Sequence, residues 1–422
     1  MSLKLAVRPA HVPVERVVDF DLYAPPGVDR DFHAAWKSLQ APGIPSLVWT
    51  PYNGGHWLVT RNRLVNEVMS DYQRFSSASI IIPKEQTPSR LLPIMVDPPE
   101  HGPYRTLLNS SLSPKAVSRA EPEIRKVSAD LIEGMRLDGH CDFVTAYAEL
   151  LPIHIFLNMA HLPVADAPLL KSFSDAINRP DPNGDWGEDG SPFAWAVRNF
   201  FAYLSPIIDE RTGQDGQDIL SRLVNGKVHG RNLTRQEALQ LCTQTVTGGI
   251  DTVANFLGFV MVHLARHPAH RLELVENPAL IAAAVEELLR RYPIVTIGRT
   301  VVRDIEYDGV LLKQGDMIAN PTPLAGLDET VNEHPLTVDF QRSTGEHATF
   351  GSGAHRCPGA HLARTELRIS LEEWLRRIPD FELADGHEVR FVGGLTATVR
   401  EVHLRWDPAN TRAPCSGTQM NR

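Results

Sequence analysis

Apolar and polar positions alternate in short runs near the start of the chain and then settle into helical spacing. Ser46-Leu47-Val48-Trp49-Thr50 and His56-Trp57-Leu58-Val59-Thr60 read as strands, with Asn53-Gly54-Gly55 as a hairpin turn between them. A helix is predicted over Arg61 to Met69. From Phe75 to Pro93 no period survives: Ile80-Ile81-Ile82 stands among Pro83, Pro88 and Pro93, which predicts an ordered loop. Asp97-Pro98-Pro99-Glu100-His101 punctuates the chain before a helix containing Tyr104 and Arg105. Helical spacing then holds from Pro114 to about Asn178, with breaks expected at Pro152 and Pro163. Pro180 to Gly190 is a long polar connection, readable as a lid or as a surface turn. Ser191 can cap the next helix, which reaches Arg211.

Thr234-Arg235-Gln236-Glu237 is a capping box, and no proline follows until Pro268. One helix of about 33 residues, about 50 Å long, is implied. Its middle reads Gly248-Gly249-Ile250-Asp251-Thr252, where each glycine costs about 1 kcal/mol relative to alanine. Two readings stand side by side: close helix–helix packing, or a locally opened helix that admits a flat cofactor and aims an acid and a hydroxyl at it. Glu287 and Arg290 share a face of an amphipathic helix ending at Pro293; taken alone they are a surface pair worth under about 1 kcal/mol. Arg299 to Val310 alternates like a strand, and Gly315-Asp316 is a turn. Strand-like pieces recur around Phe391, Val399 and Val402-His403-Leu404, and the polar tail from Asp407 is expected to fray.

Composition narrows the class. Hydrophobic content of 42% and charged content of 22% are those of a soluble globular protein. With 42 basic against 51 acidic residues the net charge is −9, which argues against nucleic acid as a partner. Cys141, Cys242, Cys357 and Cys415 are too scattered for a disulfide framework, so a reducing compartment is expected. Neither His140-Cys141 nor His355/Cys357 has the spacing of a zinc site. Met1 to Phe20 lacks a signal-peptide core, and apolar runs such as Phe256 to Val262 are too short to span a bilayer. A cytoplasmic protein without a membrane partner is expected.

The densest chemistry lies in Phe350-Gly351-Ser352-Gly353-Ala354-His355-Arg356-Cys357-Pro358-Gly359, which runs into a helical pattern from Ala360 to Arg377. A cysteine thiolate is a soft, electron-donating ligand for a metal or a haem iron. Such a thiolate needs backbone N–H groups aimed at its sulfur and a following helix whose dipole tolerates the charge. Gly353 and Gly359 can take the backbone geometry, and the helix supplies the dipole. In isolation the residue reads more readily as a small buried hydrophobe. The spacing fits neither a nucleophile elbow nor a dinucleotide fingerprint.

In this order, Gly248-Gly249-Ile250-Asp251-Thr252, Glu287-x-x-Arg290, Arg342 and Phe350-x-x-Gly353-x-His355-x-Cys357-x-Gly359 resemble the cytochrome P-450 haem-thiolate monooxygenases, in particular the bacterial camphor hydroxylase family. The resemblance runs from about Val12 to Trp406 and includes Glu286 to Arg291 and His361-Leu362-Ala363-Arg364. It implies a mainly α fold with small β-sheets (α+β), one domain over residues 1–408, a polar tail over 409–422, and haem b between the long helix and the Cys-loop helix. Cys357 would ligate the iron. His101, Arg105, Arg299 and His355 would hold the propionates, and Phe350, Gly353, Gly359 and Gly248 would border the haem. Glu287, Arg290 and Arg342 would form a buried ion network behind the loop. Asp251 and Thr252 would be the acid–alcohol pair that delivers protons during O–O cleavage.

By the same resemblance, electrons would come from a 2Fe-2S ferredoxin fed by an NADH-dependent ferredoxin reductase. The ferredoxin would dock on a basic patch matched by Arg105 and Arg364, with Arg74, Arg356 and Arg368 as helpers; Gly102-Pro103 and Thr344 depart from it. The camphor hydroxylases hold the substrate ketone with a tyrosine on the loop before Asp97; here that loop is shorter and carries Ser89, and Ile81 replaces a phenylalanine. Gln244 and Thr247 stand where that family is apolar, Val295 is retained, Ile297 replaces an acidic residue, and Leu395 and Thr396 are pocket neighbours. A ligand of about ten to thirteen carbons gains about 8 kcal/mol from burial, whereas one hydrogen bond adds about 1. A terpenoid or norisoprenoid of ionone size is therefore expected ahead of camphor, acted on by a monomer. The alternatives are camphor hydroxylation itself and a non-catalytic haem protein that binds ligands; a peroxygenase would lack the acid–alcohol pair.

Overall fold

A helix spanning Arg235 to Arg266 is the centre of the helical part, with helices on both sides and two short strands packed against it. In the computed structural model residues 5–84, 90–178, 191–343 and 345–413 are described; Ser89, Thr344 and the connection from Pro180 to Gly190 lie outside them. The capping box starts this helix as predicted. The Thr234 side chain accepts the Glu237 N–H, and the Glu237 carboxylate accepts the Thr234 N–H at 2.7 Å. The helix is not continuous. It runs over Arg235–Ile250, breaks at Asp251 (φ −116°, ψ −35°) and resumes over Thr252–Arg266. Two adjacent glycines leave the turn before the break without side chains to brace it. Past the break every residue from Val253 to Ala265 is buried, so this half is core.

The predicted helices are found at Asn62–Ser70, His101–Ser111, Pro192–Arg211, Ile281–Arg291 and Ala360–Arg377. Ser191 caps its helix by accepting the Ala194 N–H at 3.1 Å. The stretch from Pro114 to Asn178 divides into Pro114–Met135, Leu150–Met159 and Ala167–Asn178, with a strand at His140–Asp142. Pro152 does not break a helix as expected. It sits in the first turn of Leu150–Met159, where a missing N–H leaves no bond unmade.

Five strands form the main sheet, in the order Leu47–Thr50, His56–Val59, Met317–Pro321, Thr296–Val301 and Phe75–Ser76. The predicted hairpin pairs Trp49 with Trp57, and Ile318 lies between Trp57 on one side, in parallel pairing, and Arg299 on the other. Phe75–Ser76, expected as loop, is a short strand against Val301 and Thr300. The single strand expected from Arg299 to Val310 is in fact the end of Thr296–Val301 and a separate hairpin, Ile305–Tyr307 with Val310–Leu312. Its turn is made by Asp308 and Gly309 with φ of 49° and 77°. A second sheet pairs Glu382–Leu383, His403–Arg405 and His140–Asp142. Beyond Asp407 the chain makes a turn at Pro408–Asn410, and the Arg412 N–H donates to the Arg377 carbonyl, so the tail is anchored that far.

Candidate active site

The Cys loop is held from several sides. Gly351 and Gly353 both have φ of +67°, and a Cβ on Gly353 would come within 2.7 Å of the Ser70 Cα, so that position excludes any side chain on two counts. The Cys357 N–H donates to the Phe350 carbonyl at 2.7 Å, and the Arg364 guanidinium lies over the Phe350 ring, 4.5 Å from its centre. Cys357 is an exposed free thiol with protein atoms packed around its sulfur. That burial raises the thiol pKa, against which the Gly359 N–H and the charges of Arg105, Arg364 and Arg356 act.

Behind the loop Glu287, Arg290 and Arg342 meet. Arg290 is fully buried and donates to both Glu287 carboxylate oxygens, at 2.7 and 2.8 Å. It also donates to the carbonyls of Gly326, Pro335 and Thr337. Arg342 Nε reaches the same carboxylate at 3.1 Å, and the Asp339 N–H adds a further bond. The pair that read as a surface contact in isolation is thus a buried junction pinning the segment before the Cys loop.

Four cationic-capable groups converge on one region beside the loop. His101 and His355 stack with ring centres 4.3 Å apart, and the Nε2 atom of each is buried without a hydrogen-bond partner. Arg299 is buried at its strand position and donates to its neighbour's carbonyl, that of Gly298. Burial pushes its pKa down to about 10, against the charge of Asp97. Burial, then the charges of Arg299, His101 and Arg105, pushes His355 down to about 3. Arg105 completes the group, bonded to the Arg356 carbonyl and to Asn109. Orphaned donors crowded by like charge call for an anion, and the two carboxylates of haem b meet that need, with a soft thiolate donor in the next turn of chain. The residues fit the group.

On the long helix the two glycines do different things. A Cβ on Gly249 would sit 3.0 Å from the Phe156 ring, so this glycine serves helix packing. Gly248 is exposed, and a Cβ there would meet a single atom, the Gln244 amide nitrogen, at 3.7 Å. The Thr252 hydroxyl donates to the Gly248 carbonyl at 3.3 Å. Asp251 is buried and accepts the Asn255 amide at 2.7 Å, while the Asn255 carbonyl accepts the Thr398 hydroxyl at 2.7 Å. Asn255 and Thr398 were missed from the sequence. The spacing of Asn255 four residues past Asp251 is the signal that could have found the first; nothing local marks the second.

The expected pocket residues fall into two groups. Val295 bridges Thr396, and the Thr296 N–H donates to the Leu395 carbonyl, so Val295, Leu395 and Thr396 are brought together. Ile81 and Ile297 pack on an apolar cluster of Ile80, Leu91, Met95, Phe193 and Val197. Phe193 and Val197 belong to the helix that packs along Arg235–Ile250, which carries Gln244 and Thr247. Of the expected docking arginines, Arg364 is paired with Glu286, Arg368 with Glu121 and Glu372, and Arg74 with Asp71.

The cytochrome P450 family model matches residues 187–390. The probable cytochrome P450 127A1 of Sinorhizobium fredii is 33% identical, over 94% of this chain and 96% of its own length. Among solved structures, CYP101J2 matches with a TM-score of 0.87 at 42% identity, and CYP101C1 with 0.85 at 39%; each match covers 95% of this chain and 100% of the other. A thiol-bearing loop braced by a buried Glu–Arg–Arg junction, an anion-seeking cluster beside it and a broken helix carrying Asp251 and Thr252 have the same source: the chain belongs to the cytochrome P450 family, a monooxygenase with haem b as its cofactor.

Proposed function

We propose that this cytochrome P450 hydroxylates a C–H bond of a small apolar terpenoid or norisoprenoid, ionone-like in size, with O2 and with electrons from a 2Fe-2S ferredoxin served by an NADH-dependent reductase. The observation that carries the substrate class is the apolar cluster of Ile80, Leu91, Met95, Phe193 and Val197, extended by Ile81 and Ile297, beside the helix that bears Gly248. Burial of about ten to thirteen carbons against such a wall is worth about 8 kcal/mol. Shape then dominates affinity, and polar groups set orientation.

Haem b, when bound, supplies the iron at which O2 is activated. Cys357 would hold that iron as thiolate, with His101, His355 and Arg299 on the propionates. The Thr252 hydroxyl, released from the Gly248 carbonyl, would hold a proton at Oγ1 beside the reacting face. Asp251, steadied at Oδ2 by Asn255, would renew that proton. Relay of this kind is typically worth about 10²–10⁴ in rate. Because Arg364, Arg368 and Arg74 are neutralised by their own partners, ferredoxin docking would rest on Arg356, with Arg105 shared between the docking face and the propionates. The enzyme would work as a cytoplasmic monomer.

The test is reconstitution with NADH, a ferredoxin reductase and a 2Fe-2S ferredoxin, followed by mass analysis of products from β-ionone. A product heavier by one oxygen atom is expected. NADH consumption with no oxygenated product from β-ionone or from smaller terpenoids would overturn the substrate class.

A further inference from the structure

Past its break, the long helix is flanked by a short strand. Thr398–Val399 pairs with Phe391–Val392 and packs against Thr252–Arg266. A Cβ on Gly258 would come within 3.3 Å of the Val399 Cβ, so the missing side chain there lets the strand lie close to the helix. The strand is tied elsewhere as well. The Ala397 N–H donates to the Ile294 carbonyl at 2.8 Å, and the Leu395 carbonyl accepts the Thr296 N–H at 2.9 Å. From this fixed position the Thr398 hydroxyl donates to the Asn255 side-chain oxygen at 2.7 Å, and the Asn255 amide donates to Asp251 Oδ2 at 2.7 Å. Thr398 Oγ1 also lies 3.3 Å from the Val399 carbonyl oxygen. The main-chain N–H of Asn255 meets the Asp251 carbonyl at 3.0 Å. All three side chains are buried.

We infer that Thr398 is a positioning residue for Asp251, acting through the Asn255 amide. The inference rests on the reading of Asp251 as the acid of the proton relay, and adds to it a residue outside the helix. An ionised carboxylate only accepts hydrogen bonds, so the Asn255 N–H must face Asp251 and the Asn255 oxygen must face Thr398. With the hydroxyl removed, that buried oxygen loses this donor, and the amide loses what holds its oxygen away from the carboxylate. A hydroxyl also accepts. When Asp251 carries a proton, its O–H donates to the Asn255 oxygen once the amide has turned over. The Asn255 N–H then meets Thr398 Oγ1, whose own hydrogen turns to the Val399 carbonyl. The three side chains thus keep Asp251 hydrogen-bonded both before and after it gives up a proton. A relay acid alternates between those two states, and a partner suited to one alone would resist the change.

The test compares wild-type holoprotein with Thr398→Val, which keeps the shape without the hydroxyl, Thr398→Ser, which restores the hydroxyl, and Asp251→Asn. The first readout is nuclear magnetic resonance of the diamagnetic ferrous carbonyl form labelled with 15N-asparagine. The Asn255 side-chain amide is identified by its loss in Asn255→Asp. Its protons are expected to exchange with solvent about three- to tenfold faster in Thr398→Val and at the wild-type rate in Thr398→Ser. This readout needs no substrate. The second is NADH-driven turnover of β-ionone with ferredoxin and reductase. In Thr398→Val, kcat is expected to fall about three- to tenfold with a larger solvent deuterium effect, while the spin-state affinity for β-ionone is unchanged; Thr398→Ser is expected to recover. Unchanged amide exchange in Thr398→Val would overturn the positioning. Faster exchange with wild-type kcat and deuterium effect would overturn its link to the reaction and leave Asp251 as the acid. Full wild-type turnover in Asp251→Asn would overturn the relay reading and the function of Thr398 with it.

Discussion

At the scale of single residues, the site is built from positions whose chemistry is set by what they do not touch. Gly248 and Gly249 are adjacent and identical, yet one is closed by the Phe156 ring and the other stays open. Sequence leaves that choice undecided, because it depends on which face of the helix meets Leu150–Met159. Thr252 is bonded to the Gly248 carbonyl through a long 3.3 Å contact, weak enough to be exchanged for a ligand. Thr252→Ala is therefore expected to keep consuming NADH while releasing hydrogen peroxide, with product per NADH falling about tenfold or more. Parallel measurement of NADH, peroxide and product checks this, and full coupling in the variant would remove Thr252 from the proton path.

At the scale of elements, the junction of Ile281–Arg291 with the segment before the Cys loop is the decisive contact. Glu287 lies between Arg290 and Arg342, and Arg290 closes three backbone carbonyls from that segment and its neighbours. Removing one charge leaves the others buried and unmatched, which costs about 3–5 kcal/mol. Glu287→Gln is expected to lower the denaturation midpoint accordingly and to weaken haem retention; an unchanged midpoint would show that the junction is not a stability element. Much of this scale is legible in sequence, since capping box, Glu-x-x-Arg spacing and Cys loop are all local patterns. The rest is not. The parallel pairing of His56–Val59 with Met317–Pro321 joins segments some 260 residues apart, as in Trp57 with Ile318, and no local period announces it. The hairpin at Asp308–Gly309 was hidden because its strands continue the alternation of Thr296–Val301.

At the scale of the whole molecule, several histidines are stored neutral in the interior. Burial, the largest influence on each, pushes His33 and His263 down to about 3 and His56 and His347 down to about 4. In the unfolded chain these groups protonate near the ordinary value of 6.5. Below that pH the unfolded state binds more protons, so stability is full above about 6.5 and falls as pH drops toward 4, by up to about 1.4 kcal/mol per histidine per pH unit. A denaturant midpoint that stays flat from about pH 7 to about pH 5 would contradict this. The same interior frames the central proposal, that the haem pocket takes a terpenoid or norisoprenoid of ionone size. Titration of the ferric holoprotein with β-ionone and, separately, with camphor, following the Soret band, tests it most directly. The account predicts a strong low-spin to high-spin shift with β-ionone and little with camphor; a strong shift with camphor and none with β-ionone would contradict it.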